Sequence, residues 1–299
     1  MRWRKVHGSH RAFLPTFLSS CTLAQRRPTA APAEPTTATE ETLIPSNKTP
    51  DPTRPMWGDF VAHDHCSAKN LFNALLCAVA VVPSIAATVV AYIRCDPTQT
   101  DDWDGAAEIF CSVAMGNPIA WANVLFFVNV SVGFWVVGLL QHSFWLIDPY
   151  WTIIPPLLGH LYQLHPNARY DTARSAVALT LLWGWAVRLT HSYFRREDWK
   201  FGQREDWRYT KMATDMPKLW PFLSFFAVGV AQQPMLIGIT LPAYTVHFVD
   251  APFGQWYDVL AIVCSVLGLL TAYASDNQLR QFMLRNEALV AQGLPKVEA

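Results

Sequence analysis

The stretch Trp183-Gly184-Trp185-Ala186-Val187-Arg188-Leu189-Thr190-His191-Ser192-Tyr193-Phe194-Arg195-Arg196 places an arginine inside an otherwise apolar predicted helix. The charged run Glu205-Asp206-Trp207-Arg208-Tyr209 follows it closely. A bilayer-spanning helix tolerates an ionised side chain only where that side chain reaches the interface or serves a polar cavity. We therefore expect the chemistry of this protein at the membrane face beyond Phe194.

The overall composition is that of a protein embedded in a membrane. Apolar residues make up 52% of the 299 residues and charged residues only 15%, whereas a soluble domain carries about 25% charged residues. Many of the 13 tryptophans lie near the ends of apolar runs, as membrane interfaces favour. Lys plus Arg equals Asp plus Glu, at 23 each, so no excess of positive charge indicates a nucleic-acid partner.

Six apolar segments predict an all-α polytopic membrane helix bundle with about six transmembrane helices, because a span needs about 20 apolar residues. The fifth segment is too long for one straight span and contains Gln232-Gln233-Pro234 and Pro242, so we expect a kinked or discontinuous helix there. A short polar helix is expected to open at Ser275. The six segments are Leu71–Ile93, Ile119–Leu140, Phe144–Tyr162, Ala176–Phe194, Leu219–Phe248 and Trp256–Ala274.

The chain divides into three predicted regions. Residues 1–60 are basic at the start and rich in Pro, Thr, Ala and Ser, which is typical of a disordered leader, either a transit peptide or a basic cytosolic tail. Residues 65–290 form the transmembrane domain, and residues 291–299 form a tail. His63-Asp64-His65-Cys66 has metal-ligating side chains but lies at the end of the leader without a fixed scaffold, so we predict no metal site.

Loop charges predict the orientation of the bundle. The loop between the first two spans is acidic, while the loop between the fourth and fifth spans carries seven Lys and Arg residues. The positive-inside rule places this basic loop and both termini in the cytoplasm, and Arg169 and Arg174 on the opposite face argue weakly against it. Cys95 and Cys111 flank the acidic loop, and they are either a lumenal disulfide or two free thiols.

The charged groups themselves leave alternatives open. Arg188, His191 and Arg195 share one helix face and serve either as interface anchors or as part of a polar site. The repeated Arg-Glu-Asp-Trp in the basic loop is either a solvated loop or an anion site built from guanidinium groups. Asp148 is either a functional acid at membrane depth or a cap before Pro149. No Gly-x-Gly-x-x-Gly or Walker lysine motif supports a Rossmann or P-loop site.

Several of these motifs resemble a known family. Over residues 65–290 the chain is similar to uncharacterised membrane proteins that carry a steroid 5α-reductase-type carboxyl-terminal domain. The stretches that carry the resemblance are Trp185–Arg196, Glu205–Tyr209, Asp148–Trp151, Gln232–Pro234 and Asp276-x-Gln278-Leu-x-x-Phe282.

The resemblance implies an NADPH-dependent reductase of a carbon–carbon double bond conjugated to a carbonyl in a sterol or other lipid, with the protein stabilising the enolate that develops. We predict that Tyr150 with Asp148 polarises the substrate. We expect an endoplasmic reticulum membrane, with a plastid or mitochondrial membrane as the alternative. The residues that the resemblance places beside NADPH are Arg188, Glu205, Asp206, Arg208, Tyr209, Asp276, Gln278 and Arg280.

The chain departs from this family at its carboxyl end. Where the family continues into a segment reading roughly Ser-Arg-His-Pro-Asn-Tyr, this chain reads Gly293-Leu294-Pro295-Lys296-Val297-Glu298-Ala299. We therefore expect a truncated form that binds the cofactor weakly or does not catalyse.

Two alternatives to the reductase function remain. One is an isoprenylcysteine-methyltransferase-like enzyme that uses S-adenosylmethionine, and the other is a non-enzymatic membrane scaffold.

Overall fold

The computed structural model of the protein describes residues 64–95 and 105–297. The predicted leader over residues 1–60 lies outside the described residues. Within the described ranges every regular element is a helix, as expected for an all-α bundle. Four of these helical stretches are long and apolar enough to cross a membrane: Ala68–Arg94, Pro118–Gln141, Trp220–Phe248 and Trp256–Ala291.

The first span contains a break that the sequence analysis did not predict. Helix α1 covers Ala68–Val79 and helix α2 covers Val82–Arg94. Pro83 at the start of α2 has no N–H to continue the hydrogen-bond ladder. The side-chain amide of Asn129, from the next span, donates to the carbonyl of Ala80, which lies within the break, at 3.0 Å. The break is therefore stabilised by a tertiary contact within the membrane-depth part of the bundle.

The second span follows a short helix, α3 (Gly105–Gly116). It starts as α4 (Pro118–Leu125), widens into a π-helix over Phe126–Phe134, called π1, and ends as α5 (Trp135–Gln141). A disulfide joins the end of α2 to α3 through Cys95 and Cys111, whose Cα atoms are 5.3 Å apart. Of the two alternatives for these cysteines, the structure has the disulfide.

Helices α6 (Ile147–Gln163) and α7 (Thr172–Arg196) correspond to the third and fourth predicted segments. Helix α6 is the centre of the bundle and packs on α7 and on the fifth segment. It carries Pro155 and Pro156 in its interior, both buried. The carboxylate of Asp171 caps α7 by accepting from two backbone N–H groups.

The fifth segment is irregular just before Gln232, at the predicted Gln-Gln-Pro position, whereas Pro242 lies inside a helix that it does not interrupt. After α8 (Trp207–Asp215), this segment comprises α9 (Trp220–Ser224), a second π-helix over Phe225–Val230, called π2, and α10 (Gln232–Phe248). The two π-helices touch closely, because a Cβ atom on Gly229 would lie 2.7 Å from the carbonyl oxygen of Ser131. Glycine at this position lets the two backbones approach each other.

The last helix, α11 (Trp256–Ala291), runs without interruption for 36 residues. The prediction of a separate short helix from Ser275 is wrong. The sequence after Ser275 contains no Gly or Pro before Gly293, and the polar side chains there contact α7 instead of capping a new helix. Helix α11 packs mainly on α7.

The bundle has two distinct ends. At one end, which we call the basic end, the backbone carbonyl of Phe201 accepts from the Asn73 amide at 2.9 Å. At the other, which we call the disulfide end, His165 and Asn167 bond to the backbone carbonyls of Ala114 and Met115 at 3.1 and 2.9 Å. The predicted site residues lie toward the basic end.

Candidate functional site

The first part of the site is formed where α7 and α11 meet at the basic end. The guanidinium of Arg188 donates to the carboxylate of Asp276 at 2.5 Å. The hydroxyl of Ser192, one turn further along α7, donates to the same carboxylate oxygen at 3.1 Å. The Arg188 side chain is 14% exposed, whereas that of Asp276 is 35% exposed, so the pair lies at the edge of the packed interior.

Two further arginines join this pair. Arg195 donates to the side-chain oxygen of Asn277 at 2.9 Å, and Arg280 donates to the backbone carbonyl of Arg195 at 3.0 Å. We call Arg188, Arg195 and Arg280 the arginine cluster. Its three positive charges face one carboxylate, that of Asp276, within the cluster.

The arginine cluster retains donors that the protein does not use. The Nε atoms of Arg188 and Arg195 are buried and have no hydrogen-bond partner in the part of the chain that the structure describes. Buried polar groups are normally paired, and guanidinium groups match the oxygens of phosphates and carboxylates. An excess of positive charge with unused donors is suited to binding an anion.

The structure does not bring Gln278 to this cluster. Gln278 is exposed, and it follows Asp276 by two residues, about 200° around the helix. The neighbours of Asp276 that do face α7 are Asn277 and Arg280. Arg188, Asp276 and Arg280 are thus placed together as predicted, while Gln278 lies apart from them.

The second part of the site is the charged loop, residues 197–206. Asp198 and Trp199 have φ angles of 52° and 56°, a left-handed conformation that non-glycine residues rarely adopt. Gly202, at φ 69°, has no room for a side chain, because a Cβ atom there would lie 2.7 Å from the Asn73 amide. The loop is therefore held in one conformation by its contacts with α1.

Glu205 and Asp206 have opposite electrostatic environments at the end of this loop. One carboxylate oxygen of Glu205 accepts the backbone N–H of Phe144 at 2.5 Å, and Thr210 donates to the other at 3.4 Å. Burial raises the pKa of Glu205 to about 7. Asp206 caps α8 and accepts from the guanidinium of Arg208, and this hydrogen bonding lowers the pKa of Asp206.

The other predicted residues of this loop lie close by, in different roles. Arg208 is 65% exposed and pairs with Asp206, two residues earlier. Tyr209 is buried, and its hydroxyl accepts from the amide of Gln232 at 3.2 Å. Burial, followed by the neighbouring Asp148 carboxylate, raises the pKa of Tyr209. This contact joins the first turn of α8, directly after the charged loop, to the Gln-Gln-Pro sequence of the fifth segment.

Asp148 lies in the first turn of α6, within electrostatic range of the charged loop. Its carboxylate interacts with those of Asp206, Glu205 and Glu197 and with the guanidinium of Arg196. We call Asp148, Glu197, Glu205 and Asp206 the acidic cluster. Within this cluster, burial raises the pKa of Glu205, and repulsion from the Asp206 carboxylate adds to this shift.

The structure does not bring Tyr150 to Asp148. The two residues are two positions apart on α6 and therefore project from different faces. The Tyr150 hydroxyl donates to the backbone carbonyl of Cys77 in the bundle core, where Tyr150 is 1% exposed. The catalytic role of Tyr150 stays a prediction, and the hydroxyls of Tyr209 and Tyr193 are the ones within electrostatic range of Asp148.

Three residues of the site were not predicted from the sequence: Ser192, Asn277 and the buried Glu197. Ser192 lies four residues after Arg188, and Asn277 follows Asp276. Helical spacing could therefore have predicted that both lie beside the arginine–aspartate pair. Glu197 is 6% exposed, and no sequence pattern distinguishes it from the exposed acids around it.

Among the described residues no group of three or more His, Cys, Asp or Glu side chains is arranged to hold a metal ion.

Comparison with known proteins identifies a family but not an activity. A family model described as "Protein of unknown function (DUF1295)" matches residues 134–297, which is more than half of the chain. The match includes both the arginine cluster and the acidic cluster. No curated protein and no solved structure matches the chain. The chain therefore belongs to the DUF1295 family, whose function is unknown.

Proposed function

We propose that this protein is a membrane-embedded, NADPH-dependent reductase of a carbon–carbon double bond conjugated to a carbonyl, acting on a sterol or other lipid. The observation that carries the proposal is the arginine cluster, whose buried Nε donors on Arg188 and Arg195 have no partner among the described residues. Steroid-reductase-type architecture is part of this proposal, on the resemblance of the sequence motifs.

The proposed topology has six crossings, with α6 and α7 added to the four long apolar stretches. The basic end then faces the cytosol, where the reduced dinucleotide is found, and the Cys95–Cys111 disulfide faces the oxidising side. The arginine that argued most against this orientation is Arg174. Its guanidinium pairs with the carboxylate of Asp258 at 2.9 Å, and this neutralisation weakens the objection.

The residues of the arginine cluster fit the phosphates of a dinucleotide. Arg188, Arg195 and Arg280 would hold phosphate oxygens, while Asp276 and Asn277 keep the guanidinium groups in position. Phosphate binding would use the donors that the protein leaves unpaired. When bound, NADPH would supply a hydride for the β-carbon of the substrate, and water or a side chain would supply the proton that the enolate takes up at its α-carbon.

The acidic cluster supplies the complementary function, which is to stabilise negative charge on the substrate carbonyl oxygen. Because the pKa of Glu205 is raised to about 7, a large fraction of this carboxyl carries a proton at neutral pH and has an O–H to donate. Burial maintains that protonation, with repulsion from the Asp206 carboxylate as a smaller cause, and Tyr209 provides a hydroxyl group beside it. A donor fixed in place before the reaction stabilises the developing enolate without reorganisation.

Ligand binding to the purified protein in detergent tests the proposal. NADPH should raise the thermal-unfolding midpoint of the wild type, and S-adenosylmethionine should not. Arg188→Gln should abolish the NADPH effect. Arg285→Gln is the matched control, because Arg285 is an exposed residue on α11 outside the cluster, and it should keep the effect.

Two results would overturn the proposal. One is stabilisation by S-adenosylmethionine without stabilisation by NADPH, which would indicate a methyltransferase. The other is an unchanged NADPH effect in Arg188→Gln, which would remove the arginine cluster from the binding site.

A further inference from the structure

A cavity of about 220 Å³ lies between α2, the π1 region of the second span, and α6. Its wall is apolar over most of its area, and it is open on one side. Because α2 and π1 belong to two of the four long apolar stretches, the cavity lies at membrane depth. Among its lining residues are Ile85, Val89, Leu125, Phe126, Ile154 and Leu158.

The cavity is separate from the charged groups of the candidate site. The first α6 residue to line it is Ile154, six residues after Asp148 and so about 9 Å further along the helix. Tyr150 lies between them, fully buried and bonded to the carbonyl of Cys77. A ligand in this cavity is therefore bound by a different set of residues from those proposed to hold NADPH.

The size of the cavity discriminates between classes of lipid. At about 30 Å³ for a group the size of a water molecule or a methylene, 220 Å³ holds roughly seven such groups. This volume is below the range of about 300–1,000 Å³ of pockets that enclose a rigid drug-sized molecule, whereas a stretch of linear hydrocarbon chain fits. The open side lets the remainder of a linear chain continue into the bilayer.

Most polar groups of the lining are already bonded within the protein. The Thr88 hydroxyl donates to a backbone carbonyl and accepts from Trp121, and the Tyr92 hydroxyl donates to the carbonyl of Leu161. Both ring nitrogens of His160 are also engaged. These groups have little capacity left for a ligand.

Two polar groups of the lining remain available. The amide nitrogen of Asn129 donates to the carbonyl of Ala80 at 3.0 Å, which fixes the side chain and leaves its oxygen as an acceptor. The hydroxyl of Ser84 has no hydrogen-bond partner among the residues that the structure describes. A polar acceptor at membrane depth favours a ligand that brings a donor to it.

We propose that this cavity binds a lipid with a linear hydrocarbon chain and a single hydroxyl group, whose O–H is donated to the Asn129 side-chain oxygen. The chain lies against Ile85, Val89 and Leu158. This site does not rest on the proposed reductase function, because it uses none of the charged residues and its occupation requires no NADPH.

Photolabelling of the purified full-length protein tests the site with a probe of this class, a diazirine-bearing long-chain primary alcohol. We expect labelled peptides from residues 81–92 and 122–130. Val89→Phe should reduce labelling about tenfold by filling the cavity. Val90→Phe is the matched control, because Val89 and Val90 are both 50% exposed and only Val89 lines the cavity. Equal labelling of the two variants would overturn the site.

The chemistry of the ligand is tested on the unmodified protein. The methyl ether of the same probe, which cannot donate a hydrogen bond, should label these peptides about tenfold less. An excess of unlabelled long-chain alcohol should displace the probe, and an equal excess of a sterol should not. Equal labelling by the ether, or displacement by the sterol, would contradict the assignment of a linear hydroxylated lipid.

Discussion

Helices α7 and α11 are joined by two arginine–aspartate pairs that differ in how completely they are bonded. Near the disulfide end, Arg174 donates to both carboxylate oxygens of Asp258 at 2.9 Å, and to the carbonyls of Ala251 and Pro252 at 2.7 and 2.9 Å. Near the basic end, Arg188 donates to one oxygen of Asp276, and its Nε has no partner among the described residues.

The difference indicates which pair is structural and which is suited to a ligand. The carboxylate of Asp258 also accepts the backbone N–H groups of Gly254 and Gln255 at 3.0 Å, so the groups around Arg174 are saturated. The groups around Arg188 are not. Two pairs of the same chemical type on the same two helices thus provide an internal standard for each other.

The largest expected effect is on stability, at the saturated pair. Arg174→Ala leaves the Asp258 carboxylate, 9% exposed in the structure, without its guanidinium, and removes the two carbonyl contacts to the loop before α11. We expect the thermal-unfolding midpoint in detergent to fall by about 5 °C or more. Arg188→Ala is the comparison and should lower it less. A larger loss for Arg188→Ala would reverse the assignment of the structural pair.

The next largest effect is on cofactor affinity, at the unsaturated pair. Arg195→Gln removes a guanidinium of the arginine cluster and should weaken NADPH binding about tenfold, measured by titration with the purified protein. Gln278→Ala should leave the affinity unchanged, because Gln278 is exposed on another face of α11. A comparable loss in Gln278→Ala would support the sequence-based assignment of Gln278 to the cofactor site.

A third effect depends on pH. Burial raises the pKa of Glu205 from its ordinary 4.5 to about 7, so between these values the folded protein holds this proton more tightly than the unfolded chain. The contribution of Glu205 to stability therefore falls as the pH rises through this window. Glu205→Gln should raise the unfolding midpoint relative to the wild type at pH 8 and change it little at pH 4.5. An equal difference at both pH values would contradict this.

The smallest expected effect is at the cap of α8. Asp206→Ala removes the carboxylate that accepts the backbone N–H of Arg208 at 2.9 Å and should reduce the free energy of unfolding by about 1 kcal/mol. Denaturant unfolding in detergent measures this change. Asp215→Ala, at the other end of the same helix and half exposed, should have no measurable effect. Equal losses in the two variants would argue against the cap.

Much of the fold could be predicted from the sequence because apolar length and proline position are local signals. The discontinuity before α10 follows from this kind of information. The break between α1 and α2 was not predicted, because Pro83 in the middle of the predicted span is also compatible with a kinked but continuous helix. The contact that stabilises the break comes from Asn129 in another span.

The candidate site was predictable to the extent that helical spacing determines it. Arg188, Asp276 and Arg280 were expected together and are together. Helical spacing also places Gln278 on a different face from Asp276. We nevertheless expected the two together, because both belong to the Asp276-x-Gln278 motif of the family. By contrast, the charged loop could not be predicted, because its sequence is that of a solvated loop. Its conformation depends on side chains of α1, more than a hundred positions away. One of them is Asn70, which accepts the N–H of Phe201 at 2.7 Å.

The uninterrupted length of α11 has a mechanical consequence. Its 36 residues form a helix about 54 Å long. Asp258 and Asp276 bond this helix to α7 at two points about 27 Å apart. Because both pairs hold α11 against α7, a tilt of α11 at one pair also changes the geometry of the other pair. A ligand that shifts Asp276 would therefore also act on Asp258 and the loop beside it.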